Sequence, residues 1–209
     1  LLAFAQRERI GLTIVGPEAP LVIGLCDTFA DAGLRCFGPS KLAARLEGSK
    51  AFTKDFLKRH GIPTAAYAKF TRDNFDAARI RAQKAPLVVK ADGLAAGKGV
   101  VICATTEEAV ATAQDMFAGR FGKAGDLVVV EEFLEGEEAS FIAMVDGKTV
   151  LPLATSQDHK RLRDADEGPN TGGMGAVASR ALVDAETLRR IEDTVVRPSV
   201  EGLVRDGMD

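Results

Sequence analysis

Two short strand patterns near the start of the chain are separated by one helical pattern. Residues 12–15 and 34–37 predict strands, and each is followed by a Gly-Pro dipeptide that ends it. Residues 20–32 predict a helix that begins at Pro20 and stops before Gly33. The β-α-β order predicts a partial parallel α/β layer, because two strands alone do not make a stable parallel sheet.

From residue 41 onward, longer helices alternate with strands. Thr105 and Glu108 form a capping box for one of the helices, and Asp146-Gly147 is a strong signal for a two-residue hairpin turn. The mixture indicates an α/β protein with α+β character in this second part. Helices are predicted over 41–47, from residue 49, over 73–84 and from residue 105; strands are predicted over 66–70, 87–90, 100–103, 127–132, 139–145 and 149–153.

The helix that Ser49 caps has an apolar side and a basic side. Phe52 and Phe56 lie one turn apart, while Lys50 and Lys54 lie near the opposite side, because two residues turn a helix by ~200°. Lys50 occupies the first turn, where the helix dipole disfavours a cation. Two interpretations stay open: Lys50 faces an external anion, or it is a surface lysine in water.

A glycine-rich loop over residues 90–100 joins two apolar strand patterns. Gly93, Gly97 and Gly99 let the backbone approach a bulky anion, and Lys90 and Lys98 add positive charge suited to phosphate. The spacing does not fit a Walker A loop, and the loop leads into a strand instead of a helix. We expect a hairpin flap that covers a nucleotide polyphosphate; a tight glycine turn with a solvated lysine is the alternative.

Three later segments are dense in groups that bind small polar ligands. The acidic run 130–138 suits a hinge that reads adenine through its backbone, with a carboxylate for the ribose, or it is a charged loop. The run 155–161 contains His159, for which metal ligation is disfavoured because no histidine or cysteine is nearby. The second glycine-rich run, 168–176, is a cradle for an anion or a sugar, or a flexible connection.

Composition narrows the class of protein. A formal net charge of −3 in 209 residues gives no case for nucleic acid or an anionic membrane as the main partner. No apolar run approaches the ~20 residues of a membrane span, and no secretory signal opens the chain. Cys26, Cys36 and Cys103 fit no zinc or disulfide framework. We expect a cytoplasmic protein, and the start without Met, within a helical pattern, suggests a fragment of a longer one.

Six segments together resemble the ATP-grasp ligases, and among them the phosphoribosylamine–glycine ligases of purine biosynthesis. They occur in the family's order and cover nearly the whole chain. The resemblance implies ATP-dependent joining of glycine to 5-phosphoribosylamine through a glycyl phosphate, which gives glycinamide ribonucleotide, ADP and phosphate. The segments are 16–22, 46–54, 90–100, 131–140 without residue 135, 156–161 and 168–176.

The resemblance also implies roles for single residues. Lys50 and Lys90 would contact the phosphates and the base of ATP, and Gly97, Lys98 and Gly99 would cover the triphosphate. Glu131 with the backbone of Phe133 and Leu134 would read adenine, and Glu138 the ribose. Lys98 and Asp158 are the catalytic candidates. The pocket for phosphoribosylamine and glycine would be lined by Glu18, Asp158, Lys160, Asn170, Thr171 and Gly172.

The resemblance divides the chain into 1–45, the remnant of a Rossmann-like domain, and 46–209, the ATP-grasp region. Residues 66–133 would form the flap-bearing subdomain, and 134–209 a partial central subdomain. The main ligands of Mg²⁺ or Mn²⁺ are expected outside this chain, as is the family's initial glycine loop. We expect a monomer or weak dimer with no nucleic-acid or membrane partner.

Three other functions remain as alternatives. Another ATP-grasp ligase, or a carboxylase of biotin or aminoimidazole ribonucleotide, would share the flap but differ around residues 158–161 and 170–176. A non-catalytic ATP-binding module is possible for the fragment alone. A dehydrogenase is disfavoured because the glycine-rich loop leads to a strand.

Overall fold

The computed structural model describes residues 1–94, 99–179 and 181–208. In the N-terminal part, β1 (Thr13–Ile14) pairs in parallel with β2 (Cys36–Phe37), which confirms the predicted β-α-β layer. The single helix predicted between them is wrong: α2 (Glu18–Val22) and α3 (Leu25–Asp31) are separated by Gly24. Gly24 has φ 91°, a left-handed conformation that interrupts the helix and that glycine adopts without strain. Helix α1 (Leu2–Arg7) precedes this layer.

Helix α5 (Lys50–Arg59) begins where the sequence predicts it, because the Ser49 hydroxyl accepts a hydrogen bond from the Phe52 amide. The preceding helix α4 (Arg45–Gly48) is shorter than the predicted 41–47 and starts later. Lys54 lies on the basic side of α5, yet it is buried. A second structural element therefore covers that side of the helix.

The covering element is a four-stranded antiparallel sheet with the strand order β3-β6-β4-β5. Its strands are β3 (Tyr67–Thr71), β4 (Leu87–Ala91), β5 (Val100–Cys103) and β6 (Leu127–Glu132). Alternate residues point to opposite faces, so Val89 and Val130 join a core with helix α7 (Thr106–Asp115). Lys90 and Glu131 occupy the opposite face, where Glu131 reaches α5. A π-helical turn (Met116–Arg120) and a 3₁₀ turn (Gly122–Asp126) join α7 to β6.

Two local predictions are corrected by the hydrogen bonding of short polar side chains. The helix predicted over 73–84 shrinks to α6 (Ala77–Arg81), because Asn74 accepts from the Thr71 amide and Asp76 caps the helix start. The predicted two-residue turn at Asp146-Gly147 is shifted by one residue to Gly147-Lys148: the Asp146 amide donates to the Thr149 carbonyl at 3.4 Å, and Asp146 Oδ1 accepts from the amides of Lys148 and Thr149.

The last third of the chain consists of short strand pairs and two helices. β7 (Ala143–Val145) pairs with β8 (Val150–Pro152), β9 (Ser156–Asp158) with β12 (Ala176–Ala178), and β10 (Arg161–Arg163) with β11 (Glu167–Asn170). A 3₁₀ turn (Asp164–Asp166) lies between β10 and β11. Helix α8 (Ala185–Ile191) continues through a π-helical turn (Glu192–Val196) into α9 (Arg197–Arg205). Within the described residues, no helix combines the length and apolarity needed to cross a membrane.

Candidate active site

The glycine-rich loop connects two antiparallel strands, as predicted. β4 pairs with β5 from Leu87↔Cys103 to Lys90↔Val100, and the Ala91 amide donates to the Gly99 carbonyl at 2.8 Å. This hydrogen bond closes the base of the hairpin. Gly97 and Lys98 lie outside the described residues, so the roles predicted for them at the tip stay predictions.

The base of the hairpin is attached to the N-terminus of α5. Both carboxylate oxygens of Asp92 lie within hydrogen-bonding distance of Ser49 Oγ, at 3.1 and 3.0 Å, and the Ala51 amide donates to Asp92 Oδ1 at 2.9 Å. Lys50 Nζ donates to the Gly93 carbonyl at 2.8 Å. Gly93 has φ 81°, a left-handed conformation that glycine adopts without strain. Lys50 therefore lies beside the loop, where an anion held by the loop would meet it.

The pKa of Lys50 is lowered in this position. Burial is the largest cause that lowers the pKa of Lys50, and the positive charge of Lys90 lowers this pKa further, while Asp92, Glu47 and Glu131 oppose the shift. Repulsion between two positive charges raises the free energy of the ligand-free protein, and a bound anion would lower it. Lys50 lies, half-buried, between the helix and the hairpin with these carboxylates and Lys90 nearby.

The carboxylate of Glu131 is shared by Lys90 and Lys54. Lys90 Nζ and Lys54 Nζ each lie 2.9 Å from Glu131 Oε2. The Glu131 side chain is only 6% exposed, and that of Lys54 only 10%. The predicted nucleotide residues Lys90 and Glu131 are thus in direct contact, with Lys54 behind them.

The chain leaves β6 through the predicted adenine-reading segment. The amide of Ala66 donates to Glu132 Oε1 at 2.8 Å, which fixes the end of β6 beside the start of β3. Phe133 is half-buried, and Leu134 is 64% exposed. Their backbone follows directly on the Glu131 position, so the hinge predicted for adenine begins next to the lysine cluster.

A second cluster forms around Lys160. Its Nζ lies 2.6 Å from Glu138 Oε1 and 3.9 Å from Asp158 Oδ2, and the hydrogen bond to Glu138 raises the pKa of Lys160. Thr171 donates to the Lys160 carbonyl through its amide (2.7 Å) and its hydroxyl (2.9 Å). The structure therefore joins Glu138, predicted for ribose, to residues predicted for the substrate pocket.

The remaining candidates for the substrate pocket have fewer contacts with the cluster around Lys160. Gly172 follows Thr171 in the loop beside Lys160, and the backbone of Asn170 ends β11. Glu18 is the exposed first residue of α2. Within residues 1–94, 99–179 and 181–208, no side-chain hydrogen bond or ion pair joins Glu18 to either cluster.

The comparisons with known proteins agree with these features. The sequence model of the phosphoribosylglycinamide synthetase ATP-grasp (A) domain matches residues 48–209, and that of the N domain of the same synthetase matches residues 1–47. The chain belongs to the phosphoribosylglycinamide synthetase family. The predicted α/β ATP-grasp fold is thereby confirmed.

Curated relatives match the chain from end to end. A phosphoribosylamine–glycine ligase of Vibrio parahaemolyticus is 62% identical over 208 residues, which are 99% of this chain and 48% of the relative. The same enzyme of Allochromatium vinosum is 61% identical over 209 residues, 100% of this chain and 49% of the relative. The chain thus spans about half the length of the curated relatives it matches.

Solved structures share the fold. A phosphoribosylamine–glycine ligase of Thermotoga maritima superposes with a TM-score of 0.73 at 38% identity over 83% of this chain and 44% of that one. The D-alanine–D-alanine ligase of Bacillus anthracis complexed with ATP gives 0.65 at 18% identity, over 95% and 63% of the two chains. At this low identity, the second likeness concerns the fold alone.

Two residues of the site were missing from the sequence prediction. Lys54 lies one helical turn after Lys50, and the i, i+4 spacing of two lysines on one side of α5 was the available signal. Asp92 lies within the glycine-rich loop itself, but its partners Ser49 and Ala51 are more than 40 residues earlier. Asp92 is the one carboxylate in a loop that also contains Lys90 and Lys98, and this could have suggested that its charge stabilises the fold.

Proposed function

We propose that the complete protein joins glycine to 5-phosphoribosylamine with the consumption of ATP, giving glycinamide ribonucleotide, ADP and phosphate. The observation that carries this proposal is the attachment of the glycine-rich hairpin to α5, which brings Lys50 and Lys90 together beside the loop. Membership in the synthetase family supports the choice of substrates.

We propose that the nucleotide occupies the groove between the hairpin and the end of β6. Lys50 and Lys90 would bind phosphate oxygens, and the loop with Gly97, Lys98 and Gly99 would cover them. Phe133 and Leu134 would read adenine through their backbone. The carboxylate of Glu131 is already bound to two lysines, and its backbone lies in the central strand β6, so Glu131 would border the adenine while Phe133 and Leu134 read it. Glu138 would accept from ribose hydroxyls.

The second cluster would hold the other two substrates. Lys160 offers an ammonium group for the phosphate of phosphoribosylamine or the carboxylate of glycine. Asp158 would bind the amino group of a substrate and so act in catalysis. Asn170, Thr171 and Gly172 would complete this pocket, and Glu18 would close it from the N-terminal layer.

This set of groups fits a reaction through an acyl phosphate. A glycine carboxylate oxygen attacks the terminal phosphorus of the nucleotide, and ADP leaves. The amine of phosphoribosylamine then attacks the glycyl carbonyl, loses a proton, and phosphate leaves. Phosphoryl transfer depends on alignment and on neutralised charge, which lysines and backbone amides provide without a protein nucleophile. Exclusion of water by the loop would protect the acyl phosphate from hydrolysis.

We propose Mg²⁺ or Mn²⁺ as the accompanying metal, which would neutralise charge on the triphosphate when bound. Among the residues that the structure describes, no group of three or more His, Cys, Asp or Glu side chains is arranged to hold a metal. No metal ligand is therefore assigned here. We also propose that the protein is cytoplasmic, a monomer or weak dimer, with small molecules as its partners.

The test is product analysis with the complete protein. Glycine, 5-phosphoribosylamine and ATP should yield glycinamide ribonucleotide by mass spectrometry, with one ADP and one phosphate for each product. ADP formed with another carboxylate–amine pair, or with bicarbonate, would instead indicate a different ATP-grasp ligase or a carboxylase. Calorimetric binding of ATP without any ADP release would indicate a nucleotide-binding module.

A further inference from the structure

The ammonium group of Lys54 is held by two hydrogen bonds and one ion pair within the protein. Its Nζ lies 2.9 Å from Glu131 Oε2, 2.8 Å from Thr64 Oγ1 and 3.2 Å from the Ala65 carbonyl. Two of its three N–H donors are used by Thr64 and Ala65, and the ion-pair partner Glu131 would repel a phosphate brought to the same ammonium group. Lys54 is also buried, unlike Lys90 with 26% of its side chain exposed. Lys54 is therefore placed as a fixed structural charge.

The contact between Lys54 and Glu131 changes the charge that Lys90 presents. Lys90 donates a hydrogen bond to Glu131 Oε2, and Lys54 forms an ion pair with the same oxygen, so one negative charge is shared by two positive charges. The three side chains together carry a net charge of +1. If Lys54 were neutral, Glu131 and Lys90 would form an isolated pair with no net charge, and Lys90 would be held by the carboxylate.

We propose that Lys54 is a positioning residue that takes up part of the charge of Glu131 and thereby leaves Lys90 available to nucleotide phosphates. The inference rests on the proposed function, since it requires that Lys90 bind phosphate. It assigns Lys54 no contact with the nucleotide. Lys54 acts through Glu131 from its buried position on α5.

A simple structural brace is the rival explanation. Lys54 connects α5 to the end of β6 and to the segment before β3, so its loss could disturb the site through packing alone. The two explanations differ in their dependence on ligand charge. Loss of a structural brace would weaken the binding of adenosine and of ATP alike. If Glu131 instead held the charge of Lys90, the binding of ATP would weaken, that of ADP would weaken less, and that of adenosine would stay unchanged.

The experiment uses four forms of the complete protein: unmodified, Lys54→Met, Glu131→Gln and the double variant. Adenosine, ADP and ATP are titrated by calorimetry, and thermal unfolding is recorded for each form. We expect Lys54→Met to weaken the binding of ATP at least about tenfold and to leave the binding of adenosine unchanged. The double variant should recover most of this loss, because removing both partners of a buried pair leaves no uncompensated charge. Lys54→Arg keeps the charge, so its ATP affinity should stay close to that of the unmodified protein.

The outcomes distinguish failure of the proposed function from failure of the role proposed for Lys54. Unmodified protein that fails to bind ATP would overturn the proposed function. ATP bound equally by the unmodified protein and Lys54→Met would overturn the role of Lys54, as would a loss that is equal for all three ligands and persists in the double variant. If Lys54→Met does not fold, Lys54→Gln decides, because it keeps a polar group for Thr64 and the Ala65 carbonyl without the charge: we expect weaker binding of ATP with unchanged binding of adenosine, and ATP affinity equal to that of the unmodified protein would contradict the inference.

Discussion

Asp92 caps helix α5 from the base of the hairpin, with its two carboxylate oxygens 3.1 and 3.0 Å from Ser49 Oγ. The same carboxylate accepts from the Ala51 amide. A negative charge at this end of a helix interacts favourably with the helix dipole and with unpaired amides. The hairpin that would cover a nucleotide is thus attached to the helix that carries Lys50, so the two cannot shift independently at this point.

The first prediction concerns this attachment. Asp92→Ala should lower the free energy of unfolding by about 1 kcal/mol, the usual cost of losing a helix cap. It should also weaken ATP binding, because Gly93 and Lys50 would lose their fixed relation. Urea unfolding and calorimetric titration of ATP measure the two effects.

The matched controls are Ser49→Ala and Asp92→Asn. Ser49→Ala removes one partner but keeps the bond from the Ala51 amide, so its loss of ATP affinity should be smaller. Asp92→Asn keeps an acceptor oxygen without the charge, so its loss of ATP affinity should lie between those of Ser49→Ala and Asp92→Ala. Full ATP affinity in Asp92→Ala would show that the attachment has no role in binding.

The sequence was sufficient to predict the hairpin and the start of α5. The runs on either side of the glycine-rich loop are strongly apolar, so their pairing was the only way to bury them together. The cap at Ser49 fixed the start of α5, whereas the contact of Lys50 with the hairpin depends on Gly93, 43 residues later. The hairpin and the helix start depend on residues close in sequence or on a strong pattern.

The features that sequence reasoning missed depend on distant partners. The position of Lys54 on the basic side of α5 was predicted correctly, but its burial depends on β6, which lies more than 70 residues later. The break at Gly24 was missed because a single glycine is often tolerated inside a helix. Its left-handed φ depends on the packing of the layer, with Lys41 side-chain atoms 3.2 and 3.3 Å from where a Cβ would lie.

The second prediction is the pH dependence of ATP binding. The pKa of Lys50 is below its usual 10.5, chiefly because of burial. Phosphate binding requires the charged ammonium, so the contribution of Lys50 is complete below its lowered pKa and disappears as the pH rises through it. The decline in ATP affinity should therefore begin at a lower pH than for an ordinary lysine.

Two variants assign the titration to Lys50. Asp92→Asn removes a carboxylate that raises the pKa of Lys50, so the midpoint of the decline should move to lower pH. Lys50→Met should bind ATP more weakly and lack this step. An identical pH profile in Lys50→Met and the unmodified protein would assign the step to another group.

The third prediction concerns the packing of α9 on α5. A Cβ at Gly202 would lie 2.8 Å from Phe56 Cζ and 3.0 Å from His60 Cδ2, which is closer than ordinary contact. Gly202→Ala should therefore cost about 1–3 kcal/mol of stability through overpacking. Glu201→Ala, at the adjacent exposed position, should stay within about 0.5 kcal/mol of the unmodified protein. Equal urea midpoints for both variants would contradict the close contact of the two helices.

The fourth prediction is the order in which the three cysteines react. Cys36 Sγ donates to Cys26 Sγ at 3.5 Å, and burial together with this contact raises the pKa of Cys26 to about 11. Burial also raises the pKa of Cys103, which is fully enclosed. Because the thiolate is the reactive form, Cys26 and Cys103 should resist iodoacetamide at neutral pH in the folded protein, while the half-buried Cys36 is alkylated first.

Peptide mapping by mass spectrometry after timed labelling measures this order, and labelling in guanidinium, where all three thiols should react alike, serves as the control. Cys36→Ser provides a sharper comparison, because it replaces the neighbouring thiol and removes its contribution to the shift at Cys26. We expect Cys26 to stay protected in this variant, since burial is the larger cause. Rapid alkylation of Cys26 in the folded, unmodified protein would contradict the packing of α3 against β2.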